Sequence, residues 1–205
     1  MKIVIFDMDG TLLDSQRAIC ESINYMREKL DMTRLSDEFI IDIINDMDKN
    51  SIVEFYGDIK IDDLKAEFEK IYVQNYKKFA VLYDGILDLL KKCKENGYEI
   101  AMASNAPKQT LDGILKMNGV LEYFDFVIGA SKEIPQKPDP TMLLEIMKNS
   151  KFKKAIFLGD SKKDEFAAKS ANIEYLQVLW GMGKHSFTSK NANSIEQAWQ
   201  IIQNL

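Results

Sequence analysis

The amino-acid sequence predicts an α/β fold in which a parallel sheet lies between two layers of helices and is interrupted by an all-helical insertion. The chain opens on Lys2–Phe6, an apolar, β-branched run typical of a strand buried on both faces. After Asp84, strand and helix patterns alternate, as they do in sheets built from βαβ units. Residues 15–80 show only helical spacing. We therefore assign residues 1–14 and 81–205 to the core and residues 15–80 to an all-helical insertion, which we call the insert.

The order of elements after Asp84 follows from hydrophobic periodicity and from helix start and stop signals. Glycine after the last apolar turn favours the end of a helix, and proline favours its first turn. The first predicted elements are a helix from Ile86 to Asn96-Gly97, a strand over 98–103, a helix from Pro107 to Asn118-Gly119, and a strand over 126–128. They are followed by a helix with Asp139 as N-cap and Pro140 as first residue, strands over 154–158 and 175–179 on either side of a helix from Ser161, and a last helix capped by Ser194 with Gln197 completing a capping box.

Three runs of helical spacing make up the insert. Apolar side chains recur every three or four residues, so each run has one apolar face. The aromatic residues share this spacing and are therefore interpreted as the packed interior of the insert, in preference to a binding platform. The runs extend over Ile19–Leu30, Phe39–Met47 and Leu64–Phe79.

The composition argues against several classes of function. A formal net charge of −5 over 205 residues disfavours a nucleic-acid-binding protein, which usually presents a basic face to phosphates. The net charge does not exclude binding of a small phosphorylated metabolite, which needs only one local cluster of positive charge.

No run is long enough for a membrane span, and the N-terminal apolar run is too short for a signal peptide. Cys20 and Cys93 lack metal-binding or disulfide spacing, so we expect buried free thiols and a cytoplasmic protein. The oligomeric state stays open.

The motif Asp7-Met8-Asp9-Gly10-Thr11 follows the first strand directly. Ligands of open α/β sheets bind at the carboxyl ends of the strands, so a site is expected here. Two carboxylates at such a position are unfavourable unless they hold a metal or take part in chemistry. A polar Asp-Gly turn is the alternative interpretation. The buried strand in front of the motif favours a chemical role.

Three further motifs follow in chain order, two after predicted strands and one before a helix. They are Ser104-Asn105, Lys137-Pro138-Asp139-Pro140, and Gly159-Asp160-Ser161 followed by Asp164. Together with the first motif they resemble the haloacid dehalogenase-like superfamily of phosphohydrolases, in the branch of phosphoglycolate phosphatases, pyrophosphatases and β-phosphoglucomutases. The resemblance implies a Rossmann-like core and a small helical cap inserted just after the first motif, where the insert lies.

The resemblance also implies a catalytic pair of aspartates. Asp7 is the expected nucleophile, whose carboxylate attacks phosphorus and forms an aspartyl phosphate that water then hydrolyses. Asp9 is the expected general acid and then base, and repulsion between neighbouring carboxylates would favour its protonated form. A Mg²⁺ ion would neutralise charge between nucleophile and phosphate. Its expected ligands are Asp7, the backbone carbonyl of Asp9, and Asp160.

The other motif residues are expected to bind the phosphoryl group. Ser104 would donate a hydrogen bond to a phosphoryl oxygen, helped by backbone N–H groups around Asn105. Thr11 is a further candidate for substrate binding. Lys137 would offset the negative charge of the phosphoryl group and of Asp7, and is therefore counted among the catalytic residues.

Asp164 has two interpretations that stay open. It completes a capping box with Ser161, or it holds Lys137 or a metal-bound water. His185, the only histidine, is expected to be exposed and is not needed in this mechanism. Specificity should lie in residues of the insert near predicted helix ends, and the candidates are Arg17, Arg34, Lys49 and Asn50.

These expectations describe a Mg²⁺-dependent phosphatase acting on a small phosphate monoester, with phosphoglycolate as first candidate by resemblance. A phosphosugar mutase of the β-phosphoglucomutase type would share every core residue and differ in the cap, and a pyrophosphatase is a further alternative. The dehalogenases of the superfamily are disfavoured because they lack the second aspartate, which Asp9 supplies. A non-catalytic ligand-binding or regulatory protein also stays open, since a fold does not prove an activity.

Overall fold

The computed structural model describes residues 1–58, 65–186 and 188–205. Its strands are β1 (Ile3–Phe6), β2 (Leu13–Asp14), β3 (Val81–Leu82), β4 (Glu99–Pro107), β5 (Phe126–Ala130), β6 (Ala155–Gly159), β7 (Glu174–Val178) and β8 (Lys190–Ala192). Its α-helices are α1 (Gln16–Lys29), α2 (Asp37–Asn45), α3 (Ser51–Tyr56), α4 (Lys65–Phe79), α5 (Ile86–Glu95), α6 (Lys108–Met117), α7 (Thr141–Asn149), α8 (Lys162–Ser170) and α9 (Ile195–Gln203).

The main sheet has β1 near its centre, and this strand is fully buried. β4 and β6 pair with it on either side, with Ile5 opposite Ala101 in β4 and opposite Phe157 in β6. The six strands lie in the order β5-β4-β1-β6-β7-β8, and every neighbouring pair is parallel. The predicted α/β class with a parallel sheet is confirmed. A parallel arrangement brings the carboxyl ends of β1, β4 and β6 to the same edge of the sheet.

The two faces of β1 are covered by different helices. Val4 and Phe6 belong to a hydrophobic cluster with residues of α5, α6 and α9. Ile3 and Ile5 belong to a second cluster with residues of α7 and α8. Alternate residues of a strand point to opposite faces, so a strand covered on both sides needs an uninterrupted apolar run. The core is therefore the predicted three-layer arrangement.

Helices α1 to α4 lie between β2 and β3, which form a separate antiparallel pair with Leu13 opposite Leu82. Within the insert, α1 packs against α4 and α2. The pairing of β2 with β3 holds the two connections between core and insert side by side. Strands of two residues have no periodicity, which is why the sequence does not predict them. The division of the chain at residues 15–80 stays a prediction, and Leu64 lies outside the described residues.

Two predicted boundaries in the core are wrong. β4 continues to Pro107 instead of ending at residue 103, because its pairing with β5 resumes after an irregularity, so Ser104 lies within the strand. α7 begins at Thr141 with Pro140 at the N-cap position. Asp139 is not the cap: its Oδ1 accepts a hydrogen bond from the Thr141 N–H at 2.8 Å, two residues on, which is an Asx-turn.

The predicted capping box of the last helix is incomplete. Ser194 Oγ accepts a hydrogen bond from the Gln197 N–H at 3.2 Å, as predicted. The Gln197 side chain instead accepts from the N–H of Asn193 at 2.8 Å, one residue before the cap. The short strand β8 is absent from the sequence prediction.

Other predictions concern the chain as a whole. Cys20 and Cys93 are buried free thiols, as expected. His185 is exposed, as expected. Within the described ranges, no helix has both the length and the apolar character needed to cross a bilayer.

Candidate active site

Predicted site residues meet at the carboxyl edge of the main sheet. Asp7 follows β1, Asp160 follows β6, and Asp164 lies in the first turn of α8. Lys137 reaches the same place from the loop between β5 and α7. All four side chains are buried, with 1 to 7% of each residue exposed. Three carboxyl groups and one ammonium group therefore share a space that is largely closed to water.

Lys137 is the centre of this group. Its Nζ lies 2.6 Å from Asp7 Oδ1 and 2.6 Å from Asp164 Oδ1, and it donates to the Ala103 carbonyl oxygen at 2.8 Å. These three acceptors match the three N–H bonds of an ammonium group. Burial acts to lower the pKa of Lys137, but Asp164 and Asp7 raise it above its ordinary value. The side chain is therefore a fixed positive charge beside Asp7.

The side chain of Asn105 holds the loop that carries Lys137. Asn105 Nδ2 donates to the Lys137 carbonyl oxygen at 3.0 Å, and Asn105 Oδ1 accepts from the Lys137 N–H at 2.7 Å. This amide is thus engaged by the protein itself and positions Lys137. The predicted contact of the Asn105 region with a phosphate stays a prediction.

Asp164 has both of the structural partners that the sequence suggested. Its Oδ2 accepts from the Ser161 N–H at 3.1 Å and from Ser161 Oγ at 2.5 Å, while Ser161 Oγ accepts from the Asp164 N–H. Its Oδ1 pairs with Lys137. The two interpretations are compatible because the capping box occupies one carboxylate oxygen and the lysine occupies the other.

Asp160 is enclosed by backbone from two loops. Its Oδ2 accepts a hydrogen bond from the Met182 N–H at 3.0 Å. A Cβ on Gly10, which has a φ of +74°, would lie 2.1 Å from the same oxygen, and a Cβ on Gly183 would lie 1.6 Å from the Asp160 carbonyl oxygen. Both positions therefore need glycine. The loop around Met182 is a part of the site that sequence reasoning missed, although its two closely spaced glycines were a signal.

Three acidic side chains of this group could hold a metal ion. Asp7, Asp160 and Asp164 each offer a carboxylate oxygen, and these oxygens lie within 4.8 Å of one another. Burial, with Asp7 and Asp164 nearby, raises the pKa of Asp160 well above its ordinary value. Burial also raises the pKa of Asp7, to about 8, against the opposing effect of Lys137. One lysine does not balance three carboxylates, so a hard divalent cation with oxygen ligands fits the site.

Asp9 is partly buried and has different neighbours from Asp7. Its Oδ1 accepts hydrogen bonds from Ser15 Oγ and from Tyr76 Oη, each at 2.6 Å. Loss of water around the carboxyl group raises the pKa of Asp9, and the two hydrogen bonds act in the opposite direction. The expected cause, repulsion from Asp7, is therefore not the main one. The sequence did not single out Ser15 or Tyr76 for the site.

Ser104 and Thr11 are both buried near this edge of the sheet. Ser104 Oγ accepts a hydrogen bond from the Ala106 N–H at 3.1 Å and follows Ala103, which binds Lys137. Thr11 Oγ1 has no hydrogen-bond partner among the described residues. Their predicted contacts with a phosphoryl group stay predictions.

Two of the specificity candidates are engaged within the insert. On the exposed surface of the insert, the guanidinium group of Arg34 forms ion pairs with the carboxylates of Glu28, at 2.9 Å, and Glu21, at 3.0 Å. Asn50 caps α3 through its side-chain oxygen. Their predicted contacts with substrate therefore gain no support. The side chains that the insert does place on Asp9 are those of Ser15 and Tyr76.

Comparison with known proteins shows the family. A family model described as haloacid dehalogenase-like hydrolase matches residues 4–178, and the chain belongs to this family. Phosphoglycolate phosphatase 1 of Pseudomonas aeruginosa is 29% identical over 191 residues, which is 88% of this chain and 70% of that protein. The phosphoglycolate phosphatase of Vibrio parahaemolyticus is 27% identical over 194 residues, 88% of this chain and 85% of that protein.

A solved structure shows the same fold. The crystal structure of a predicted phosphatase from Clostridium acetobutylicum superimposes with a TM-score of 0.83 at 24% identity, and the match covers 100% of this chain and 99% of that chain. The resemblance drawn from the four sequence motifs is confirmed, as is the assignment of the chain to a family of hydrolytic enzymes.

Proposed function

We propose that this protein is a Mg²⁺-dependent phosphatase that hydrolyses a small phosphate monoester through an aspartyl phosphate on Asp7. The observation that carries the proposal is the buried ammonium group of Lys137, held between Asp7 and Asp164 at the end of the central strand. A phosphorylated metabolite of the phosphoglycolate type is the first substrate candidate, because relatives that cover 88% of this chain are phosphoglycolate phosphatases.

The residues present can carry out the reaction in two steps. In the first, an Asp7 oxygen forms a bond to phosphorus, the bond to the leaving oxygen breaks, and Asp9 gives that oxygen a proton. In the second, a water oxygen bonds to phosphorus while Asp9 takes the water proton, and the bond between Asp7 and phosphorus breaks. Lys137 offsets the negative charge that Asp7 and the phosphoryl group bring together.

The residues that would hold the metal are Asp7 and Asp160, with the backbone carbonyl of Asp9. Asp164 is a less suitable ligand because both of its oxygens are engaged, one by Lys137 and the other by Ser161. When bound, a divalent cation supplies positive charge that lowers the repulsion between a carboxylate nucleophile and a phosphate dianion.

A substrate panel tests the proposed reaction. We expect the purified protein with Mg²⁺ to release phosphate from phosphoglycolate or a related small monoester, and to lose this activity in excess EDTA. Pyrophosphate and hexose phosphates belong in the same panel. Isomerisation of a hexose phosphate that is faster than phosphate release would favour a mutase, and full activity after metal removal would contradict the metal requirement.

Metal binding should also raise the melting temperature, Tm, of the protein. A cation at a 100-fold excess over its Kd stabilises the folded protein by about 2.7 kcal/mol, which corresponds to a rise in Tm of roughly 5 to 10 °C for a chain of this size. We expect Mg²⁺ to raise the Tm of the unsubstituted protein and to have little effect on Asp160→Asn. The control is Asp88→Asn, which alters an exposed carboxylate on α5. An equal Mg²⁺ effect on Tm in Asp160→Asn would remove Asp160 from the ligand set.

A further inference from the structure

Tyr76 is a residue of the insert, yet its hydroxyl group reaches the core. It lies on α4, and its Oη donates to Asp9 Oδ1 at 2.6 Å. Ser15 Oγ, from the other connection between core and insert, donates to the same oxygen at 2.6 Å. Ser15 directly follows β2, and Tyr76 precedes β3 by only five residues. The paired strands β2 and β3 therefore hold both donors close to Asp9.

A second tyrosine orients the first. Tyr72 Oη donates to Tyr76 Oη at 2.7 Å, and the two rings lie with their centroids 4.2 Å apart. Both side chains are buried, and Tyr76 is 1% exposed. A phenol has a single proton, so a Tyr76 oxygen that accepts from Tyr72 directs its own proton to Asp9. The direction of this hydrogen bond is thus set by the packing of α4.

The two hydrogen bonds to Asp9 make its two carboxylate oxygens inequivalent. Oδ1 accepts from Ser15 and Tyr76, which uses its lone pairs. Oδ2 accepts no hydrogen bond from the residues that the structure describes. A proton on the carboxyl group is therefore best placed on Oδ2, and Oδ2 is the oxygen left to face a leaving group or a water.

Burial alone does not account for this arrangement. The buried hydroxyl group of Tyr56, also in the insert, has no hydrogen-bond partner among the described residues. Tyr76 instead directs its hydroxyl group across the boundary between insert and core, onto a carboxylate. The contact ties the orientation of Asp9 to the position of α4.

We propose that Tyr76, supported by Tyr72, is a positioning residue that holds Asp9 with Oδ2 towards the leaving oxygen. This proposal rests on the proposed function. In the first step the proton on Oδ2 moves to the leaving oxygen as its bond to phosphorus breaks. In the second step Oδ2 takes a proton from the attacking water as the bond between Asp7 and phosphorus breaks. Tyr76 keeps its own proton throughout.

The test compares Tyr76→Phe with the unsubstituted protein on two kinds of ester. With phosphoglycolate, whose alkoxide leaving group needs a proton, kcat should fall about 10- to 100-fold while KM stays within about 2-fold. With p-nitrophenyl phosphate, whose leaving group needs no proton, the first turnover should keep its rate within about 2-fold. Later turnovers should slow, because the second step still needs Asp9, so a burst of one nitrophenol per protein should appear.

Two further variants serve as controls. Tyr72→Phe leaves the bond from Tyr76 to Asp9 in place and should lower kcat by less than Tyr76→Phe. Tyr25→Phe removes an insert hydroxyl group that binds Glu67 at 3.3 Å, away from Asp9, and should leave kcat unchanged. All three variants should unfold within a few degrees of the unsubstituted protein.

The outcomes separate this proposal from the proposed function. If Asp9→Asn loses turnover but Tyr76→Phe keeps its full kcat, Tyr76 does not position Asp9. If Tyr76→Phe slows the first turnover of nitrophenyl phosphate as much as the later ones, the role of Tyr76 is packing alone. No turnover by the unsubstituted protein with any ester would overturn the proposed function, and the role of Tyr76 with it.

Discussion

Asp7→Asn is expected to abolish turnover, with a loss of more than about 10⁴-fold in kcat, while the protein stays folded. An amide is a poor nucleophile towards phosphorus and a weaker metal ligand than a carboxylate. Removing the nucleophile removes the whole two-step route, so no slower version of the same chemistry remains. Phosphate release from the best ester of the panel measures the loss.

The fold should survive because the buried ammonium group of Lys137 keeps two of its three acceptors. Lys137 keeps Asp164 and the Ala103 carbonyl oxygen as partners. The substitution also removes one of three buried carboxylates, which relieves repulsion with Asp160. We therefore expect the Tm of the metal-free variant to equal or exceed that of the unsubstituted protein. Asp14→Asn, at an exposed aspartate of β2, is the control. Near-normal hydrolysis by a folded Asp7→Asn protein would remove the nucleophile assignment.

Asp9→Asn is expected to trap the phosphorylated protein. An activated aryl ester does not need a proton on its leaving group, so Asp7 can still attack phosphorus. The next step lacks a base to activate water, and the phosphoryl group should stay on Asp7. Intact-protein mass spectrometry should show the added mass of one phosphoryl group, and hydroxylamine, which cleaves acyl phosphates, should remove it.

The same experiment separates the competing functions. In the unsubstituted protein the phosphoryl group should pass to water. Passage to a sugar phosphate acceptor, faster than phosphate release, would identify a mutase. If Asp9→Asn with Mg²⁺ forms no phosphoprotein and the unsubstituted protein releases no phosphate, a non-catalytic role on this fold would be favoured.

The sequence alone predicted the parallel α/β core and placed Asp7, Lys137 and Asp160 in one site, while it left the role of Asp164 open. Asp7 and Asp160 each follow an apolar run that forms a parallel strand, and parallel strands present their carboxyl ends at one edge of the sheet. The apolar runs predict the parallel sheet, and the parallel sheet brings together residues that are far apart in the chain. Lys137 was placed in the site because its motif completes the family resemblance.

Only the tertiary structure decided which atoms these residues touch. Asp9 and Tyr76 lie 67 residues apart, and Asp160 and Met182 lie 22 apart. The spacing of Tyr76 is that of any buried position on a helix, and such spacing carries no information about the partner of its hydroxyl group. The division of the Asp164 oxygens between Ser161 and Lys137 likewise depends on where α8 meets the loop of Lys137. Hydrogen bonds form between atoms that packing brings within about 3 Å, and the packing of the insert against the core has no local signature in the sequence.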